Sequence, residues 1–174
     1  MIQICGMAPS RKHIDLGVEA WGLPWDPLSH RYSRWFEMHD RSLWERRGPE
    51  YLETLRTSEV PVYMQQHYDD IPASVMFPVE QVAEVIGADY FNSSIAYMIG
   101  LAILESQDIE IWGVDNHTDG EWFFERPCNE YLIGIARGRG LKVWVHPDSS
   151  LLKFMPNIHF NGEIQTYRGR YGWL

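Results

Sequence analysis

The chain opens on a short apolar run, Met1–Cys5, which breaks at Gly6-Met7-Ala8-Pro9 and leaves Ser10 placed to cap a helix from Arg11. Gly22–Ser33 carries two prolines and little periodicity and reads as a loop, and Arg34–Met38 reads as a strand. Gly48–Thr57 is a helix with Pro49 at its first position and Glu50 and Glu53 in its first turns. Val60–Met64 is a strand, Gln65–Pro78 a polar loop punctuated by proline, and Val79–Ile86 a short helix closed by Gly87. Ser93 or Ser94 caps the strongest helix, Ile95–Glu105, which is apolar on nearly every face. Ile109–Val114 has the apolar content of a strand covered on both sides. Pro127–Arg137 is a helix that stops at Gly138 or Gly140, and Leu141–Val145 is a further buried strand. A Ser150-capped turn, Leu151–Met155, leads to Ile158–Tyr167, where Asn161-Gly162 between two short runs predicts a β-hairpin.

Strands alternating with helices predict a mainly parallel sheet with helices on both faces. The expected fold is a single Rossmann-like, doubly wound α/β domain over residues 1–157, with 158–174 as a C-terminal hairpin of the same domain. No internal repeat or linker divides the chain, and no apolar run is long enough to span a bilayer.

Charge narrows the partners. The net charge of −9 argues against duplex nucleic acid, whose binding depends on neutralising phosphates. Of the 15 basic residues twelve are Arg, a type suited to bidentate recognition of phosphate or carboxylate. Two cysteines, Cys5 and Cys128, form no disulfide framework, and no basic-then-apolar leader opens the chain, so a cytoplasmic protein is expected. No metal-ligand spacing and no cofactor fingerprint occurs.

Three segments leave predicted strands at the edge where such sheets bind ligands. In Gly6-Met7-Ala8-Pro9-Ser10, small residues ahead of a helix start leave backbone N–H groups free for an anion; a plain turn has the same composition. Asn92-Ser93-Ser94 puts two hydroxyls and an amide where one cap suffices. Asp115, in Val114-Asp115-Asn116-His117, is placed for a ribose hydroxyl or a metal, or for capping the next turn. His39 and His117 are the candidate general bases, and Arg126 the candidate to balance a leaving phosphate.

The motif order carries a resemblance. Ile4-Cys5-Gly6-Met7-Ala8-Pro9-Ser10 with Ile14-Asp15 resembles the N-terminal nucleotide loop of small bacterial CMP-sialic-acid-dependent sialyltransferases. Related Rossmann-like domains of motility accessory factors and pterin pyrophosphokinases share that loop. Phe91-Asn92-Ser93-Ser94-Ile95-Ala96-Tyr97-Met98, then Ile109-Glu110-Ile111-Trp112-Gly113-Val114-Asp115, resembles their serine-capped helix and following strand. Leu141–Val145 with Pro147, Ser149, Leu151 and Leu152 resembles their closing strand and helix. The chain also resembles uncharacterised bacteriophage proteins through Trp35-Phe36-Glu37-Met38-His39-Asp40 and Glu125-Arg126-Pro127.

The resemblance implies a nucleotide, or a nucleotide-derived signal, held by the first loop and the Ser93/Ser94 helix start. A phage origin implies action in the host cytoplasm, with sequestration of a host signal as a counter-defence role; the alternative is a small glycosyltransferase-like enzyme using a nucleotide-activated donor. The tail, Tyr167-Arg168-Gly169-Arg170-Tyr171-Gly172-Trp173-Leu174, joins aromatics to arginines and favours docking in a two-fold homodimer over folding back on its own domain.

Overall fold

The computed structural model describes residues 1–12, 14–17, 19–116, 122–153, 158–160 and 163–165. Its centre is one sheet of seven parallel strands in the order β5-β4-β3-β2-β1-β6-β7. These are β1 (Ile2–Cys5), β2 (Ala20–Gly22), β3 (Arg34–Phe36), β4 (Val62–Met64), β5 (Ser74–Met76), β6 (Ile109–Trp112) and β7 (Val143–Val145). The helices are α1 (Arg41–Arg46), α2 (Pro49–Arg56), α3 (Val79–Ile86), α4 (Ser94–Leu104) and α5 (Trp122–Gly138). Strands β8 (Ile158–Phe160) and β9 (Glu163–Gln165) pair antiparallel, with Phe160 opposite Glu163, as the hairpin expectation requires. The expected Rossmann-like, doubly wound class is the one observed.

Strand periodicity sorts the side chains into two cores. Ile2, Ile4, Trp21, Phe36, Ile109, Ile111 and Val143 face α3, α4 and α5. Cys5, Ala20, Trp35, Val62 and Met64 face the other way, where Trp44 of α1 and Tyr51 and Leu55 of α2 cover them. Helix α4 lies between sheet and solvent-side helices and buries eight of its 11 residues, which is why it is apolar all round.

Several expectations need correction. Ser10 does not cap a helix: Pro9–Arg11 is a single 3₁₀ turn, and the Ser10 N–H donates to Asp115 Oδ2 at 2.9 Å. Strand β5 lies inside the expected loop Gln65–Pro78. Of its residues only Ser74 is buried, so no apolar alternation announces it. Strand β6 alternates rather than being covered on both sides, with Ile109 and Ile111 buried and Glu110 and Trp112 half-buried. Helix α5 starts before Pro127 and runs through it, giving up one backbone bond. The cap ahead of Leu151 is Ser149, whose Oγ accepts from Leu151 N–H at 3.1 Å; Ser150 donates to the Asn116 carbonyl instead. Met155 and the hairpin turn Asn161-Gly162 lie outside the described residues, as does the tail from 166 to 174.

Candidate functional site

Strand order reverses direction between β1 and β6: the chain builds β1 to β5 outward on one side, then returns through α3 and α4 to place β6 on the other. In parallel sheets this switch point leaves a crevice beyond the carboxyl ends of the two strands. A cleft of about 780 Å³ opens there. Its lining comes from the loops after β1 (Gly6, Met7, Ala8, Pro9) and β6 (Gly113, Val114, Asp115, Asn116), and from the start of α4 (Asn92, Ser93, Ser94, Ile95). Leu23, Trp25, His39, Arg47 and Glu125 complete it. All three segments singled out in the sequence therefore meet in one crevice.

The two loops cross at their glycines. A Cβ on Gly6 would stand 2.2 Å from the Gly113 carbonyl oxygen, and one on Gly113 would stand 2.4 Å from that of Gly6. Gly113 also has φ of +65°, where a side chain is strained. This contact consumes the N–H groups expected to be free for an anion. Gly6 donates to the Trp112 carbonyl at 2.8 Å, Ala8 to that of Gly113 at 2.9 Å, and Ser10 to Asp115. Within residues 6–11 only the Met7 N–H lacks an acceptor among the described residues. Ser10 is not part of the lining: it is 3% exposed, and its Oγ has no partner among the described residues. Arg11 is also committed, donating to the fully buried Asp26 at 2.5 Å. Asp26 in addition accepts from Tyr32 at 2.8 Å.

At the start of α4, Ser93 caps the helix by accepting from Ala96 N–H at 3.2 Å. Its hydroxyl donates to Asn129 Oδ1 at 3.4 Å, and Asn129 donates to Asn116 at 2.9 Å. Asn92 donates to the Phe124 carbonyl at 2.5 Å. These bonds tie α4, α5 and the β6 loop together. The Ser94 hydroxyl and the N–H groups of Ser94 and Ile95 have no acceptor among the described residues, as a first helical turn leaves them.

The far end of the cleft carries the most unusual group. Glu37 follows β3 and is 0% exposed. Its carboxylate accepts three hydrogen bonds: from His39 Nδ1 at 2.5 Å, from the His39 backbone N–H at 3.2 Å, and from the Tyr51 hydroxyl. A buried carboxylate demands such compensation. Burial and the adjacent Glu37 push the Tyr51 phenol far above its usual range, so it stays a donor. An ionised carboxylate only accepts, so Nδ1 of His39 is the donor to it, and in the neutral imidazole Nε2 is then the acceptor of a ring whose side chain is 38% exposed. Trp44 Nε1 and Gln65 Nε2 hold the His39 and Met38 carbonyls at 3.2 and 2.9 Å, which fixes this backbone. Trp25 packs beside His39, with ring centroids 6.0 Å apart, and the Arg47 guanidinium lies 4.1 Å from the Trp25 centroid. Arg47 is exposed and forms no ion pair with a described residue.

Of the candidate residues, Gly6, Met7, Ala8, Pro9, Asn92, Ser93, Ser94, Asp115 and His39 line the cleft. Arg126 does not: it donates to Glu130 at 2.8 Å and to the Lys153 carbonyl at 2.6 Å. His117 lies outside the described residues. Sequence reasoning missed Glu37, Tyr51, Trp25 and Arg47. The Glu37-x-His39 spacing was the available signal, since residues two apart on an extended chain share a side.

Among the described residues no helix is long and apolar enough to cross a membrane. Comparison of the chain with known protein families, with curated proteins and with solved structures finds no match.

Proposed function

We propose that the cleft binds a nucleotide or a nucleotide-derived molecule. One observation carries this reading: a cleft of nucleotide size sits at the topological switch point and is lined by both flanking loops and a helix N-terminus. The anion-binding capacity lies in Arg47, the Ser94 hydroxyl and the first-turn N–H groups of α4, rather than in the first loop. Asp115 lines the cleft at the place where a ribose hydroxyl is bound in such sheets; its Oδ2 holds Ser10 N–H, and its Oδ1 has no donor among the described residues.

A thermal-shift series with mono-, di- and cyclic nucleotides at millimolar concentration tests this. A ligand at 100 times its Kd adds about 2.7 kcal/mol, or a rise of roughly 5–10 °C for a chain of this size. Arg47→Gln is expected to remove most of that rise while moving the unliganded melting point little. A flat response across the series refutes the reading.

Capture without turnover, as in the sequestration of a host signalling nucleotide, is the first form of this reading, with Arg126 outside the cleft where a transferase would need it to balance a leaving phosphate. The buried Glu37 bonded to His39 favours a second reading, turnover of what is bound, because it holds an imidazole in one orientation on the cleft wall.

A further inference from the structure

Resting on the nucleotide reading, we propose that His39 is the general base of a phosphoanhydride hydrolysis in this cleft, with Glu37 as its positioning residue. Glu37 is fully buried and spends both oxygens on this task, one on the imidazole and one on Tyr51. Burying a carboxylate is costly unless it is compensated, and here the compensation fixes one tautomer and one ring orientation on the wall of a cleft.

The neighbourhood selects the reaction. Trp25 packs against both His39 and the Arg47 guanidinium, so an imidazole and a cation with no ion pair among the described residues line the same cleft. That pair suits a phosphoryl group attacked by water: Arg47 balances the phosphoryl oxygens while His39 Nε2 removes the proton of the nucleophile. The water oxygen forms a new bond to phosphorus, and the bridging P–O bond breaks with its electron pair going to the departing phosphate. The imidazolium then releases its proton to solvent. A phosphate leaving group departs as an anion and needs no proton, so a single base suffices for an anhydride. An unactivated ester would require an acid as well.

The experiment uses the full chain with ADP-ribose, UDP-glucose and ATP as probes in ¹⁸O-labelled water, with products read by ³¹P NMR and mass spectrometry. At least one probe that raises the melting temperature is expected to be hydrolysed, with the label on phosphorus. His39→Gln and Glu37→Gln are expected to lower kcat by at least about 100-fold and 10-fold, with KM within about threefold. His30→Gln, outside the cleft, serves as the control. Imidazole ¹H–¹⁵N correlation spectra should place the neutral His39 proton on Nδ1 in the wild type and lose that preference in Glu37→Gln. A purely structural Glu37 would leave kcat untouched in any variant that still folds. Stabilisation without hydrolysis, label on the sugar carbon, or an unimpaired His39→Gln overturns the proposal alone. Absence of stabilisation by every nucleotide removes the nucleotide reading and this proposal with it.

Discussion

Replacing Gly6 by alanine tests the crossing on which the whole cleft rests. The added Cβ would stand 2.2 Å from the Gly113 carbonyl oxygen, a backbone atom with no rotamer to escape into. That is roughly 1.3 Å inside the ~3.5 Å at which such contacts become favourable. Relief requires the β6 loop to retreat. The Ala8 N–H bond to that same oxygen and the Gly6 N–H bond to Trp112 go with it. Two backbone bonds at about 1 kcal/mol each, together with about 1–3 kcal/mol of overpacking, give a loss of about 3–5 kcal/mol. For a chain of this length the melting temperature should fall by roughly 6–20 °C. Gly134→Ala is the internal contrast. Gly134 sits on the exposed side of α5 with nothing within 4 Å of its Cβ position, so the same methyl should stabilise by about 0.5–1 kcal/mol. Differential scanning calorimetry of both variants decides the matter. A Gly6→Ala protein that melts within 2 °C of wild type refutes the close crossing and the cleft geometry built on it.

Other substitutions probe the supporting structure. Ser93→Ala removes the acceptor of Ala96 N–H, so it should cost about 1 kcal/mol, read as a lower urea midpoint with an unchanged slope. Burial, with the nearby Asp26 carboxylate adding to it, pushes the Cys5 thiol up to about 12, and burial likewise raises that of Cys128. Neither should react with a thiol reagent at pH 8 until denaturant is added; rapid labelling of the native protein would contradict the packing. Arg41 and Arg56 hold the Asp70 carboxyl down to about 2. A carboxyl held below its unfolded value of about 3.9 contributes stability above that pH, lost as pH falls from about 4 to 2. Asp70→Asn should therefore flatten the acid limb of the melting curve in that window and change little at pH 3 relative to pH 2. An acid limb identical to wild type would sink this assignment.

Legibility in the sequence followed the strength of local chemistry. The helix Val79–Ile86 with Gly87, the Pro49 start of α2 and the serine start of α4 were all readable, because each has a residue whose conformation or side chain serves that position. Gly87 does adopt the left-handed conformation, with φ of +79°. Strands β2 and β5 were not readable: each has three residues, and β5 exposes Val75 and Met76 while burying Ser74. Its pairing with β4, Val62 opposite Ser74, is a tertiary fact with no local trace. Helix α1 has six residues and buries only Trp44, too few for a period to show. At the site, small and polar residues where strands end marked the loops correctly. What they do with their N–H groups was hidden, because that depends on Gly113 and Asp115, more than a hundred residues away in sequence. Glu37 was hidden for the opposite reason: it continues an apolar strand, and nothing local says that its carboxylate finds Tyr51.

Charge gives the cleft a direction. Strands in a sheet lie about 4.8 Å apart, so the carboxyl ends of β3 and β6, separated by β2 and β1, stand roughly 15 Å from each other. Asp115 and Glu125 belong to the β6 side; His39 and Arg47 belong to the β3 side. Trp25, on the loop after β2, touches the His39 and Arg47 side chains and carries the lining from one half to the other. Coulomb's law then disfavours an anion beside the two carboxylates and favours it beside the guanidinium. On the nucleotide reading, the hydroxyl-bearing part of the ligand lies toward β6 and its phosphates toward β3. That orientation follows from the way the first loop is built. Its N–H groups close the Gly6–Gly113 crossing and the Ser10–Asp115 bond, so on this reading the anion-binding duty that a doubly wound sheet often gives to its first loop falls to the β3 side and the start of α4.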